Sequence, residues 1–259
     1  ESLKKKLTLK NKQDLDDLLK MKKQLAKEHG DKNAQNVKLE PWDLSYLAYQ
    51  LKKAKYSLDD EEIREYFPSE QVVDAMFEVY STLLGVNYVR VKDADVWAPH
   101  VDLYEVRDKK TKEVLSYFYS DFVPREGKYG HAAAFTLVPG RLVKGQYQKP
   151  VSAIVANFNP PTKEKPSLLN HDEVETLFHE FGHIMHQTLT QAPYSSLAGT
   201  SVAHDYVEAP SQMMENWVWE PAVVNRLSGH YKDAKKKLPA PLLKKMIASR
   251  DFNQGYFYT

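Results

Sequence analysis

The chain has 259 residues, enough for one large domain or two small ones with a sizeable core. Its 36 basic and 35 acidic residues leave a formal net charge of +1, which excludes a global field for nucleic acid or a membrane surface. Cysteine is absent, so a disulfide framework, a Cys-based metal site and a Cys nucleophile are all excluded. That absence agrees with a reducing compartment, and the expected location is cytoplasmic. No run of 18 apolar residues occurs, so the sequence offers no spanning helix.

In chain order the pattern is helical, then mixed, then helical. Residues 1–34 are Lys-rich, with Leu15, Leu18, Leu19, Met21 and Leu25 forming a ragged amphipathic helix. The Lys run reads as a solvated face rather than a binding tract. Trp42–Lys53 and Ser69–Leu84 are expected helices, the second entering after Pro68. The period then changes. Asp102–Arg107 and Leu115–Phe122 alternate and flank the turn Asp108-Lys-Lys-Thr111, an antiparallel hairpin signal. Val151–Asn157 is a third strand, ending before Asn159-Pro-Pro161. Ser201–Trp219 and Pro241–Asp251 return to helix. There is no internal repeat and no low-complexity segment.

The most informative element lies between these strands and the last helices. Asn170 and Glu173 form an N-x-x-E capping box, followed by Val174, Leu177, Phe178, Phe181, Ile184, Met185 and Leu189 at three- and four-residue spacings. The opposite stripe carries Glu175, His179, His183 and His186. Residues 179–183 read His-Glu-Phe-Gly-His. On a helix, positions i and i+4 share a face, so both imidazoles can ligate one Zn²⁺ while Glu180 serves as a general base. The competing reading is a core histidine pair with satisfied hydrogen bonds. Gly182 costs about 1 kcal/mol relative to Ala inside a helix. Its missing side chain would let another backbone approach.

A catalytic zinc needs a third protein ligand and one open position. Candidates lie in Asp205-Tyr-Val-Glu208-Ala-Pro-Ser-Gln212-Met-Met-Glu215, where Glu208, Gln212 and Glu215 share a helical face. Spacing alone rates Glu208 and Glu215 equally. Pro210 means that the helix either begins near it or is kinked there. Glu208 can also be read as an exposed carboxylate favoured by a helix start.

The stretch from Asn170 to His230 resembles the thimet oligopeptidase, neurolysin and oligopeptidase A family of zinc metallopeptidases. The residues carrying the resemblance are HDEVETLFHEFGHIMHQ (171–187), the GT pair at 199–200 and DYVEAPSQMMENWVWEP (205–221). DFVPREGKYGHAAAF (121–135) and DDEEIREYFPSEQVV (59–73) are similar to the same family. By the family's pattern the third ligand is the Glu of VEAPSQ, here Glu208, leaving Glu215 an outer or structural role. The resemblance thus implies one Zn²⁺ per chain on His179, His183 and Glu208, with Glu180 as the catalytic base. Glu175 or Gln212 is the expected acceptor for the second N–H of a ligating imidazole.

The expected architecture is mainly α with a small antiparallel β-sheet, a zincin-like α+β core beside the HExxH helix. Residues 1–85 form a helical segment of an upstream region, and 86–259 the catalytic core. Zincins of the thermolysin kind add an extended substrate to a sheet edge near the metal. Gly130-His131-Ala132-Ala133-Ala134 offers small side chains for such an approach, the competing reading being an ordinary buried strand. Tyr117, Phe118, Tyr119 and Phe122 are read as core rather than as a subsite. Family members place a Gly-rich loop with a His and several Tyr residues farther C-terminal, so the chain looks like a central fragment of low activity.

The implied function is hydrolysis of internal bonds in short unstructured peptides. A dipeptidyl carboxypeptidase of the same family is the alternative, and a non-catalytic peptide-binding module the alternative of another class. Intact Glu180 speaks against the last. Short peptides are the expected partners, with no nucleic acid and no membrane, and with self-association through exposed apolar surface.

Overall fold

The computed structural model describes residues 2–258. In chain order the elements begin with α1 (Ser2–Glu28), α2 (Leu44–Tyr56), α3 (Asp60–Arg64) and α4 (Ser69–Leu84). Seven strands follow: β1 (Val86–Arg90), β2 (Val101–Asp108), β3 (Val114–Asp121), β4 (Ala133–Val138), β5 (Arg141–Val143), β6 (Gln146–Gln148) and β7 (Val151–Val155). The chain then returns to helix in α5 (His171–Thr188), α6 (Ala209–Glu215), α7 (Pro221–Leu227), α8 (Ala240–Ala248) and α9 (Gln254–Phe257). It is mainly α with a small β component, and it forms two compact units, Glu1–Asp59 with Pro239–Thr259, and Asp60–Leu238. Among the described residues, no helix is long and apolar enough to cross a membrane.

In the first unit the apolar stripe of α1 does what its spacing demands. Leu18 and Met21 are buried with Leu47 of α2, and Leu15, Leu25, Leu44 and Leu51 pack around them. Most lysines of α1 stay at its surface, while Lys22 is half-buried and paired with Asp43. Asp14 is the buried polar exception, paired with Lys10 and accepting from the backbone N–H of Tyr256 at 3.2 Å.

The second unit is a sheet covered by α4 and α5. Val72, Ala75, Met76, Val79 and Tyr80 recur at helical spacing on α4 and are all buried. The helix stops at Gly85, whose φ of 69° is the left-handed conformation that glycine adopts without penalty, and β1 starts at the next residue. The strand order is β1-β2-β3-β7-β4. β2 and β3 form the expected hairpin, and Asp108 closes its turn by accepting from the N–H groups of Lys110 and Thr111, each at 2.8 Å.

The sheet is mixed rather than wholly antiparallel. β7 runs parallel to β3, while β4 pairs antiparallel with β7 from the other side. The reason is topological: the chain leaves β3, lays down β4 and the β5–β6 hairpin, then returns into the slot between β3 and β4. That path makes β4 an edge strand. β1, β4, β5 and β6 are strands that the alternation of the sequence does not single out.

An aromatic cluster joins helices to sheet. Phe118 of β3 is fully buried, with its ring centroid 5.3 Å from Phe181 of α5 and 6.0 Å from Phe77 of α4. Tyr88 of β1 and Tyr80 of α4 meet the same Phe181 ring edge-on, at 5.4 and 4.7 Å. The Tyr80 hydroxyl donates to the Phe178 carbonyl at 2.6 Å. Tyr117, Tyr119 and Phe122 are half-buried, with Phe122 against Phe158 at 5.2 Å. This packing fixes α5 on the sheet and turns its polar stripe away from it.

Candidate metal centre

The start of α5 is secured as its sequence implies. Asn170 Oδ1 accepts from the Glu173 N–H, and Glu173 Oε2 accepts from the Asn170 N–H, both at 2.8 Å. Val174, Leu177, Phe178, Phe181 and Ile184 are at most 1% exposed. With one face so fully buried, the helix has no freedom to rotate. His179 and His183 are thereby held one turn apart on the other face, ring centroids 4.8 Å apart.

The segment that faces them is less regular than the expected helix over Ser201–Trp219. Residues 201–203 are irregular, 204–208 are turn, α6 covers only Ala209–Glu215, and a 3-10 turn follows over Asn216–Trp219. Pro210 is the physical reason: it has no N–H to give and fits only the first turn of a helix. Glu208 is therefore the residue before α6, not one within it.

Three ligand-type atoms converge. Glu208 Oε2 lies 3.2 Å from His179 Nε2 and 3.1 Å from His183 Nε2, and the two Nε2 atoms are 3.1 Å apart. Among the described residues, these three side chains form a group able to hold a metal ion. Glu215 occupies a different place: its Oε1 is 2.6 Å from Nδ1 of His179, on the far side of that ring. A carboxylate there makes Nδ1 the donor, so the Nε2 lone pair points toward Glu208 and His183. The expected acceptors are not what the structure uses at His179. Glu175 Oε1 accepts from Trp219 Nε1 at 2.8 Å, and Gln212 is exposed. His183 Nδ1 is buried and, among the described residues, has no hydrogen-bond partner.

The donor set fits Zn²⁺. Tetrahedral bonds of about 2.0–2.1 Å place neighbouring ligand atoms roughly 3.3 Å apart, close to the triangle described above. Two imidazoles and one carboxylate also leave the fourth position open. The electrostatics favour neutral imidazole at His183, whose pKa is lowered by burial although Glu208 opposes the shift. Burial pushes the Glu208 carboxyl up, but the Ser211 hydroxyl and the two histidines outweigh it and hold the pKa below its usual value.

Glu180 sits beside this triangle on α5. Burial raises its pKa and the charge of Glu208 acts in the same sense, while His179 and a backbone hydrogen bond with Ala134 of β4 oppose them. It lines a cleft of about 250 Å³ together with Gly130, His131, Ala132, Thr176 and Leu177. Gly130 and Ala132 thus border the cleft, and the small residues Ala133 and Ala134 that follow begin the edge strand. Spacing arguments miss one residue, Ser211, whose Oγ is 2.9 Å from Glu208 Oε2. Its only sequence signal is its place three residues after Glu208.

The model of "Peptidase family M3" matches residues 1–259. The chain is 47% identical over 206 residues to "Thimet-like oligopeptidase" of Dictyostelium discoideum, covering 78% of this chain and 31% of that protein. It is 43% identical over 222 residues to "Oligopeptidase A" of Escherichia coli (strain K12), covering 85% of this chain and 32% of that protein. "Dipeptidyl carboxypeptidase" of the same organism is 34% identical over 227 residues, covering 87% and 33%. The chain spans about a third of the length of these curated relatives. With a full-length match to the family model and a donor triangle suited to a metal, this chain belongs to peptidase family M3.

Proposed function

We propose that this chain carries the zinc centre of an oligopeptidase that hydrolyses internal bonds of short unstructured peptides. The observation that supports it most is the convergence of His179 Nε2, His183 Nε2 and Glu208 Oε2 with Glu180 alongside. In this reading His179, His183 and Glu208 hold one Zn²⁺. Bound there, Zn²⁺ supplies Lewis acidity toward a carbonyl oxygen and lowers the pKa of water.

The chain's own residues do the rest. Glu215 holds the His179 ring in the tautomer whose Nε2 lone pair faces inward. Glu180 takes the proton of the attacking water and passes it to the leaving amine. The edge of β4 receives an extended peptide by main-chain hydrogen bonds, which brings a scissile bond toward Glu180 because Gly130, His131 and Ala132, which lead into β4, line the same cleft as Glu180. The small side chains at 132–134 leave room for a second backbone.

The test couples elemental analysis of zinc to hydrolysis of short peptides with free and blocked C-termini. One zinc per chain with cleavage of both substrates is expected. Release of C-terminal dipeptides from the free substrate alone would replace the endopeptidase reading with a dipeptidyl carboxypeptidase. Bound zinc with peptide binding but no cleavage would make the chain a binding module and overturn the proposal.

A further inference from the structure

Glu208 has an exacting position and little of its own to hold it. It precedes α6 rather than lying within it, and its side chain is 47% exposed. A long, half-exposed carboxylate on such a backbone samples many rotamers. Yet one oxygen, Oε2, stands equidistant from two imidazole nitrogens. Something must select that rotamer.

Besides the two imidazoles, Ser211 touches that same oxygen. It is fully buried, and its Oγ lies 2.9 Å from Glu208 Oε2 and 3.0 Å from the Glu208 carbonyl oxygen. The hydroxyl therefore touches the oxygen that faces both histidines. Ser211 is seated in turn by α5. A Cβ on Gly182 would lie 2.8 Å from Ser211 Cα, a backbone atom that cannot swing aside, so only glycine permits this approach. Gly182 is the neighbour of His183, and a glycine in a helix interior is otherwise unfavourable. The same helix thus places the two imidazoles directly and the carboxylate through Gly182 and Ser211.

We infer that Ser211 is a positioning residue for Glu208, and that Gly182 sets the separation of α5 and α6 at which Ser211 can act. This rests on the reading of Glu208 as a zinc ligand given above. The two residues neither ligate nor touch substrate. They select the rotamer of a residue that ligates, so their loss should appear in zinc affinity before it appears in stability.

The experiment measures zinc affinity by competition with a chromogenic chelator, alongside the thermal midpoint of the metal-free protein in EDTA. The variants are Glu208→Ala, Ser211→Ala, Gly182→Ala and the Ser211→Ala/Gly182→Ala double. Ser211→Ala is expected to weaken zinc binding about tenfold, in the range known for groups that orient ligands, with the metal-free midpoint nearly unchanged. Gly182→Ala should weaken it comparably although Ala is the better helix former. The double variant should fall short of the product of the two, because both act through one carboxylate. Unchanged zinc affinity in Glu208→Ala would overturn the ligand reading itself. If Glu208→Ala weakens binding while Ser211→Ala and Gly182→Ala stay within about twofold of the parent, the ligand reading stands and this inference fails. A loss of affinity in Ser211→Ala matched by a large drop in the metal-free midpoint would assign it a structural role and also overturn the inference.

Discussion

Nδ1 of His179 and Oε1 of Glu215 are 2.6 Å apart, the shortest contact of either histidine in the centre and one directed away from it. Among the described residues, the other ring, His183, has no such partner on Nδ1. The two imidazoles are therefore not equivalent: a carboxylate on Nδ1 orients one, while the other relies on the packing of α5 and on the Glu208 contact that both rings share. Removing the carboxylate should release the His179 ring and its tautomer together. Glu215→Ala is expected to weaken zinc binding by about 10–100-fold, and Glu215→Gln, which keeps an acceptor oxygen without the charge, by less. Calorimetric titration with zinc gives both numbers. Equal affinities in all three proteins would show that Glu215 does not orient the ring.

Binding and turnover should separate at the neighbouring position. Glu180→Gln is expected to keep zinc at nearly one per chain while removing most peptide hydrolysis, because Glu180 is assigned as base and not as ligand. His183→Ala should lose metal and hydrolysis together. Elemental analysis with a peptide assay on both variants decides it, and equal metal loss in the two would contradict the division of roles.

Much of the centre is legible in the order of the amino acids alone. The α5 helix announces itself through the Asn170–Glu173 box and an apolar face from Val174 to Ile184, and both are present in the fold. The choice between Glu208 and Glu215 is not legible from spacing. On one continuous helix both would share a face, and what separates them is the distance from each to the two rings, a tertiary quantity. β1 and β4 escape for a different reason: five- and six-residue strands give period-2 alternation too little length, and β4 has three exposed residues in a row. The parallel pairing of β3 with β7 is non-local. No hairpin signal can report it, because β4 and the β5–β6 hairpin lie between the two strands in sequence.

The capping box offers a test confined to stability. Asn170→Ala removes the acceptor for the Glu173 N–H and should cost about 1 kcal/mol, which corresponds to a fall of roughly 2–4 °C in thermal midpoint for a unit of this size. Differential scanning calorimetry of the metal-free protein measures it. An unchanged midpoint would mean that the buried face of α5 holds the helix start without help from the cap.

Asp121 should give the protein an acid-labile brace. It is 3% exposed at the end of β3. Arg125 grips it with Nη1 on Oδ1 at 2.8 Å and Nη2 on Oδ2 at 2.9 Å, and Trp97 Nε1 donates to Oδ2 at 3.0 Å. Lys128 Nζ lies 2.9 Å from Oδ1 and also donates to the carbonyls of Asp121, Val123 and Ala156. These bonds tie the ends of β3 and β7 to the loop that leads into Gly130, His131 and β4. Burial pushes the Asp121 carboxyl up, but the donors outweigh it and leave the pKa below its ordinary value. A folded pKa below the unfolded one, about 3.9, means that the unfolded chain holds the proton more tightly. The stabilisation is then fully present above about pH 4 and is lost as pH falls through the folded pKa. Asp121→Asn cannot titrate and leaves Lys128 without its counter-charge, a change that typically costs about 3–5 kcal/mol in a buried pair. Denaturant unfolding of both metal-free proteins from pH 7 to pH 2.5 should show a constant gap above about pH 5, narrowing steadily below pH 4. A gap that does not narrow would mean that Asp121 keeps no depressed pKa in the folded protein and that the brace acts by packing alone.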